Sequence, residues 1–155
     1  MKPIRLRAKA LMAAAVAAVA AQGYSVMATP SRRTPPALVE AVRKGLKGAD
    51  PTRAFLWDGT GDNPYGQMLA HADAILVTGD SVNMVGEAVS TGAPVFVFAL
   101  IGGAQRVGAF IAGLEEAGAV RRFDGTLASF AYEPIDSSLT IAKAIAERYE
   151  ALNHP

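Results

Sequence analysis

The chain of 155 residues contains no cysteine, which excludes disulfide bonds and thiolate metal sites. Its two histidines, His71 and His154, have no histidine or HExxH neighbour, so no metal centre is expected. The formal net charge is only +1, which gives no general electrostatic reason to expect a nucleic-acid partner. Metal-dependent and nucleic-acid-binding functions are therefore not predicted.

Several catalytic and cofactor-binding signatures are also missing. The Gly102-Gly103 loop matches neither a GxGxxG fingerprint nor a Walker phosphate loop. No serine, histidine and aspartate fall in the order of a nucleophilic triad, and the carboxylates are too scattered to suggest a glycosidase pair. The residues therefore predict no catalytic base and no resident cofactor.

Composition instead indicates one ordered domain. Hydrophobic residues make up 51% of the chain and charged residues 19%, and 155 residues are enough to bury a core. Neither a linker nor an internal repeat divides the sequence. We predict a single domain over residues 23–152, preceded by a distinct segment at residues 1–22.

Residues 74–98 carry the clearest local pattern. Ile75–Val77 is a short apolar run, as in a strand that is buried on both faces. Asp80-Ser81 can cap a helix, Gly92 can end it, and Val95–Phe98 is a second buried strand. The stretch predicts one right-handed βαβ unit.

Strands and helices alternate along the rest of the chain. This alternation predicts an α/β fold, a Rossmann-like three-layer sandwich with helices on both faces of a mostly parallel sheet. The predicted strands are at residues 24–29, 54–57, 75–77, 95–98 and 119–123.

Residues 1–22 allow two interpretations. A basic start with Lys2, Arg5, Arg7 and Lys9 precedes an unbroken apolar run at residues 10–21, which resembles a secretory signal. The run is also rich in alanine, the best helix former, so the alternative is a helix that lies on the sheet.

The two edges of the predicted sheet differ in their loops. The turns that enter strands are plain, whereas those that leave strands are polar or rich in glycine. All leaving turns lie at the carboxyl edge, where open α/β sheets bind ligands. This asymmetry predicts a binding site at that edge, formed by residues 31–34, 58–63, 79–83 and 102–106.

In these turns and in the helix that follows residues 79–83, three features suit a phosphorylated ligand. Arg32 and Arg33 are either solvated cations or partners of phosphate oxygens. The N–H groups of Ser81 and Val82 either only start a helix or also hold a phosphate. Glu87 is either a surface carboxylate or the acceptor of two ribose hydroxyls.

The motifs in this order resemble the mitochondrial-fission ("elongated mitochondria") family, including its bacterial members. The resemblance covers about residues 23–150 and is carried by Ser31–Pro35, Leu56–Asp58, Asn63–Tyr65 and above all Val77–Ala88. That family in turn is similar to the GT-B glycosyltransferases, whose C-terminal domain holds a nucleotide-sugar.

The resemblance implies a nucleotide-sugar site in which Ser81 and Val82 face the diphosphate and Glu87 faces the ribose. It implies no catalytic base. Together with the polar turns, the predicted binding residues are Ser31, Arg32, Arg33, Thr34, Asp80, Ser81, Val82, Met84 and Glu87, with Asp58, Asn63, Tyr65 and Gln105 as further lining.

The resemblance also implies that the chain corresponds to a C-terminal half. The family has a strand before the helix at residues 8–22, which favours the helix over the signal. Without that strand, either a groove remains or strands 24–29 and 75–77 pair. We predict the paired strand order 2-1-3-4-5.

Three functions follow as expectations. The first is a cytoplasmic nucleotide-sugar-binding, glycosyltransferase-like domain that lacks its acceptor half and is not expected to be active alone. The second is a non-catalytic module that binds a protein partner, such as an N-terminal domain, or contacts a membrane peripherally. The third is an exported α/β protein whose N-terminal segment is removed.

Overall fold

The structure, a computed structural model, describes residues 2–98 and 105–153. These ranges contain the helices α1 Lys2–Ala21, α2 Pro36–Gly45, α3 Tyr65–His71, α4 Val82–Val89, α5 Gln105–Glu116 and α6 Ser137–Asn153. The strands are β1 Val26–Ala28, β2 Ala54–Leu56, β3 Ile75–Thr78, β4 Val95–Phe98 and β5 Val120–Arg122. The α/β class and the five predicted strands are confirmed, with ends that differ by at most two residues.

The strands form two sheets, which corrects the predicted order 2-1-3-4-5. One sheet pairs β1 with β2, the other has the order β3-β4-β5, and all three strand pairs are parallel. The predicted pairing of β1 with β3 is absent from the described residues. Because β1 has three residues, only Met27 directs its backbone groups away from β2, so the open edge of β1 offers few hydrogen bonds to a further strand.

The better buried core lies on one face of the three-stranded sheet. Val95 and Val97 are two residues apart along β4, so their side chains point to the same face, where they pack with residues of α4, α5 and β5. We call this group the valine-rich core: Val77, Val85, Ala88, Val89, Val95, Val97, Ile111, Leu114, Ala119 and Val120. Val85, Ala88 and Val89 of α4 face inward, whereas Val82 is 40% exposed because it begins the helix.

A second core lies on the other face of the same sheet. Phe98 of β4 is buried there by helices α1 and α2, and the partly buried Leu76 of β3 packs against the group. This helical core consists of Met12, Ala15, Val16, Ala41 and Phe98. The predicted helix at residues 1–22 is therefore present as α1, and its apolar side is part of the domain. The signal hypothesis stays a prediction.

The helix ends follow the expected chemistry in α4. Ser81 is its N-cap, and Gly92 beyond its end has a φ of +80°, a conformation that side chains with a Cβ rarely adopt. The last helix, α6, differs from the others because its described side chains are all exposed. Within the described part of the chain, no helix is both long and apolar enough to cross a membrane.

Candidate functional site

The first turn of α4 follows β3 at the carboxyl edge of the three-stranded sheet. Ser81 has an extended backbone, and its Oγ accepts a hydrogen bond from the backbone N–H of Met84 at 3.4 Å. Ser81, rather than Asp80, therefore caps the helix. The N–H groups of Val82 and Asn83 precede the first intrahelical bond, which the Val85 N–H donates to the Ser81 carbonyl at 3.1 Å. This turn can donate to an anion from the positive end of α4.

A tyrosine lies within electrostatic reach of a carboxylate in the second turn of the same helix. Tyr65, the first residue of α3, is influenced by the exposed Glu87 of α4. Burial, followed by hydrogen bonding to Glu87 and its negative charge, raises the pKa of Tyr65 well above its usual value of 10.0. The phenol therefore stays protonated at neutral pH and can orient the carboxylate. The sequence singled out both residues, but only the fold brings them together.

The loop after β1 is held by its own polar side chains. The Ser31 N–H donates to Thr34 Oγ1 at 2.8 Å, the two hydroxyl oxygens are 3.1 Å apart, and the Arg33 N–H donates to Ser31 Oγ at 3.2 Å. Arg32 and Arg33 are exposed. The hydroxyl groups thus shape the loop, while the two guanidinium groups face solvent and are accessible to an anionic ligand.

Two of the predicted lining residues also organise local turns. Asp58 accepts hydrogen bonds from the side chain and the backbone of Thr60 at 2.7 and 2.9 Å, and these bonds lower the pKa of the Asp58 carboxyl. Asn63 Oδ1 accepts from the Tyr65 N–H at 3.0 Å, which forms a turn directly before α3. Both side chains hold the loop between β2 and α3.

The predicted residues form separate groups. Among the described residues, no hydrogen bond joins the loop at 31–34 to α4. The side chain of Met84 packs against the valine-rich core, and Gln105 is exposed at the start of α5. The predicted Gly102-Gly103 loop lies outside the described residues. The predicted turn at residues 79–83 included Asn83, but the list of individual binding residues did not, although its position in the first turn of a capped helix was an available signal.

A cavity of about 450 Å³ lies elsewhere, at the edge where the chain enters β1 and β2. It contains none of the predicted site residues. Its lining is Ala17, Ala20, Ala21, Tyr24, Lys44, Gly45, Gly48, Ala49, Asp50 and Arg53. As for metals, the described part of the chain holds no cluster of three or more histidine, aspartate or glutamate side chains suited to an ion.

The fold and the loops at its carboxyl edge define an α/β domain built from parallel βαβ units. The family described as "Mitochondrial fission ELM1" matches residues 5–149, so the chain belongs to that family. The resemblance seen in the sequence motifs is confirmed.

Two curated relatives support this assignment. "Mitochondrial fission protein ELM1" of Arabidopsis thaliana is 35% identical over 130 residues, which cover 82% of this chain and 30% of the relative. "Uncharacterized protein RP120" of Rickettsia prowazekii (strain Madrid E) is 31% identical over 135 residues, which cover 79% of this chain and 37% of the relative. The chain thus spans about a third of the length of these relatives. No solved structure matches it.

Proposed function

We propose that the chain binds the nucleoside diphosphate part of a nucleotide-sugar at the first turn of α4, as a glycosyltransferase-like domain of the GT-B type. The N–H groups of Val82 and Asn83, which precede the first intrahelical bond of α4, and the exposed Glu87 on the same helix carry the proposal. A helical rise of 1.5 Å per residue separates Val82 from Glu87 by about 7.5 Å along the axis. A diphosphate at Val82 therefore leaves the ribose near Glu87.

Each group has a separate role in this proposal. The N–H groups of Val82 and Asn83 donate to diphosphate oxygens, and Arg32 or Arg33 adds positive charge. The Glu87 carboxylate accepts the two ribose hydroxyls, while the protonated Tyr65 phenol holds that carboxylate in place. The proposal is one of binding and assigns no catalytic base. It includes a cytoplasmic location and a small-molecule ligand.

NMR titration with uridine, guanosine and cytidine diphosphates tests the proposal. For at least one nucleotide, we expect the largest chemical-shift changes at residues 79–88 and 31–34. Glu87→Gln, which removes the charge at nearly constant shape, should weaken that binding at least tenfold. Glu116→Gln is the matched control. Glu116 is also an exposed helical carboxylate, but it is the last residue of a different helix, α5.

Two outcomes would contradict nucleotide binding. The first is a well-dispersed spectrum that none of the three nucleotides changes at millimolar concentration. The second is an equal loss of affinity in the two glutamine variants, which would indicate a general electrostatic effect rather than a ribose site.

A second candidate function is a non-catalytic module that binds another protein domain. It is favoured by α6, on which Leu139, Ile141 and Ile145 are 51%, 59% and 64% exposed. Apolar side chains along one helix at this exposure are typical of an interface. If α6 binds a separate protein domain, Ile145→Lys should abolish that association, and sedimentation velocity measures it. If the chain still sediments as a monomer when it is mixed with each candidate domain, that result would count against this function.

A further inference from the structure

The cavity beside the end of α1 contains none of the residues of the proposed nucleotide site. It has a volume of about 450 Å³ and lies where the chain enters β1 and β2, at the edge opposite to the loops that leave the strands. Pockets that hold small molecules have volumes of about 300–1,000 Å³. The cavity is therefore large enough for a small ligand, and we call it the amino-edge cavity.

Alanine and glycine residues form the apolar wall of the amino-edge cavity. Ala17, Ala20 and Ala21 are spaced so that they lie on one face of α1, and Gly48 and Ala49 line the cavity from the connection between α2 and β2. A Cβ at Gly48 would meet no atom within 4 Å, so the space beside it is open. These small residues leave room for an apolar group of a ligand.

An aromatic ring borders the same wall. Tyr24 follows α1 and lines the cavity, and its side-chain hydroxyl donates a hydrogen bond to the Leu127 carbonyl at 3.2 Å. This bond holds the ring in place, and the residue remains 38% exposed. A fixed tyrosine ring offers a rigid apolar surface to a ligand.

Two positive charges line the cavity. Arg53 donates to the Gly23 carbonyl and, at 3.4 Å, to Ser25 Oγ, so its guanidinium group is held in place while other N–H groups remain for a ligand. Neither of the two ion pairs found within residues 2–98 and 105–153 includes Lys44. An arginine fork and a nearby ammonium group suit a carboxylate.

A negative charge lies beside these cations. Asp50 Oδ1 accepts hydrogen bonds from the backbone and the side chain of Thr52 at 2.9 and 2.8 Å, and these bonds lower the pKa of the Asp50 carboxyl. The carboxylate is therefore charged at neutral pH, with Oδ2 outside these two bonds. The last turn of α1 adds the negative end of a helix dipole at Ala20 and Ala21. This side of the cavity suits an ammonium group.

We propose that the amino-edge cavity binds a small zwitterion with an apolar side chain, of the class of the free aliphatic amino acids. The ligand carboxylate pairs with Lys44 and Arg53, and the ligand ammonium pairs with Asp50. The ligand side chain contacts the alanine residues of α1 and the Tyr24 ring. A ligand with a single charge would use only one of the two charged sets. The proposal is independent of nucleotide binding, since the two sites share no residue.

NMR titration of the whole chain with L-leucine tests the proposal. At millimolar leucine, we expect the largest chemical-shift changes at residues 17–24 and 44–53. Glycine lacks the apolar side chain, whereas N-acetylleucine and leucinamide each lack one of the two charges. Each of these three compounds should bind about tenfold more weakly than leucine, the loss expected from one apolar side chain or one charged hydrogen bond.

A matched pair of lysine variants locates the carboxylate. Lys44→Met should weaken leucine binding about tenfold, because it removes a charged partner of the ligand. Lys47→Met is the control, since Lys47 is exposed nearby but does not line the cavity, and it should weaken binding less than about twofold.

Two further variants test the other walls. Asp50→Asn keeps an Oδ1 acceptor for Thr52 but removes the charge, and it should also weaken leucine binding about tenfold. Gly48→Leu places a side chain in the open space, and its backbone does not have the positive φ that would oppose the change. This variant should abolish binding.

Three results would overturn the proposal. One is the absence of chemical-shift changes at residues 17–24 and 44–53 at millimolar leucine. Another is equal affinity for leucine, N-acetylleucine and leucinamide, because the ligand would then not be held by both of its charges. The third is an equal loss of affinity in the two lysine variants. The comparison of ligands uses the unaltered chain, so it holds even if a variant does not fold.

Discussion

The two sheets are built from similar strand sequences but are buried to different extents. In the three-stranded sheet, Val95 is 0% exposed, and all of β4 is buried. In the two-stranded sheet, Met27 and Phe55 are paired neighbours on one face and are 57% and 44% exposed. The difference shows that the apolar side chains of a strand are fully buried only when other elements cover both faces of its sheet.

A substitution at the contact between α1 and α2 should have the largest effect on the free energy of unfolding. A Cβ at Gly45 would lie 2.6 Å from the Ala13 carbonyl oxygen and 2.9 Å from the Val16 Cβ. Because a backbone atom cannot move aside as a side chain can, Gly45→Ala should lower the free energy of unfolding by about 3 kcal/mol. Urea unfolding measures this loss.

The control for that variant is Gly113→Ala in α5. A Cβ at Gly113 meets no atom within 4 Å. Alanine in a helix avoids the conformational entropy of glycine, so this variant should be stabilised by about 0.5–1 kcal/mol. An equal stability of the two variants would contradict the close packing of α1 on α2.

The valine-rich core gives the next largest effect. Val95→Ala in β4 leaves a space among fully buried side chains and should lower the free energy of unfolding by about 2 kcal/mol. Met27→Ala, at an exposed position of the two-stranded sheet, should change the free energy of unfolding by less than about 0.5 kcal/mol. If both substitutions lowered the free energy of unfolding by similar amounts, the two sheets would not differ in burial as described.

The contact between Tyr65 and Glu87 gives the smallest effect and appears only at high pH. It links α3, which follows the two-stranded sheet, to α4 of the other sheet. Because the pKa of Tyr65 is raised by folding, the folded state keeps its proton above pH 10 while the unfolded state loses it. This contribution to stability is therefore complete below about pH 10 and declines as the pH rises further.

NMR of the tyrosine rings measures this titration. In Glu87→Gln the pKa of Tyr65 should fall toward 10.0, but burial, the larger cause, should keep it above that value. An unchanged Tyr65 titration in Glu87→Gln would show that the two side chains do not interact in solution.

The sequence predicted the local features of the site well. Ser81 caps α4 as expected, because a cap depends on residues only two or three positions apart. Arg32 and Arg33 are exposed on the loop after β1. Whether these groups bind a nucleotide-sugar stays a prediction, since their roles depend on a ligand.

The amino-acid sequence by itself determined the strands, the helices and their alternation, because hydrophobic periodicity and turn residues act over short distances. Only the tertiary structure decided that β1 and β3 do not pair, that α6 is exposed and that Tyr65 meets Glu87. These outcomes depend on which distant surfaces compete for each edge and face. A short strand such as β1 offers too few hydrogen bonds to decide that competition locally.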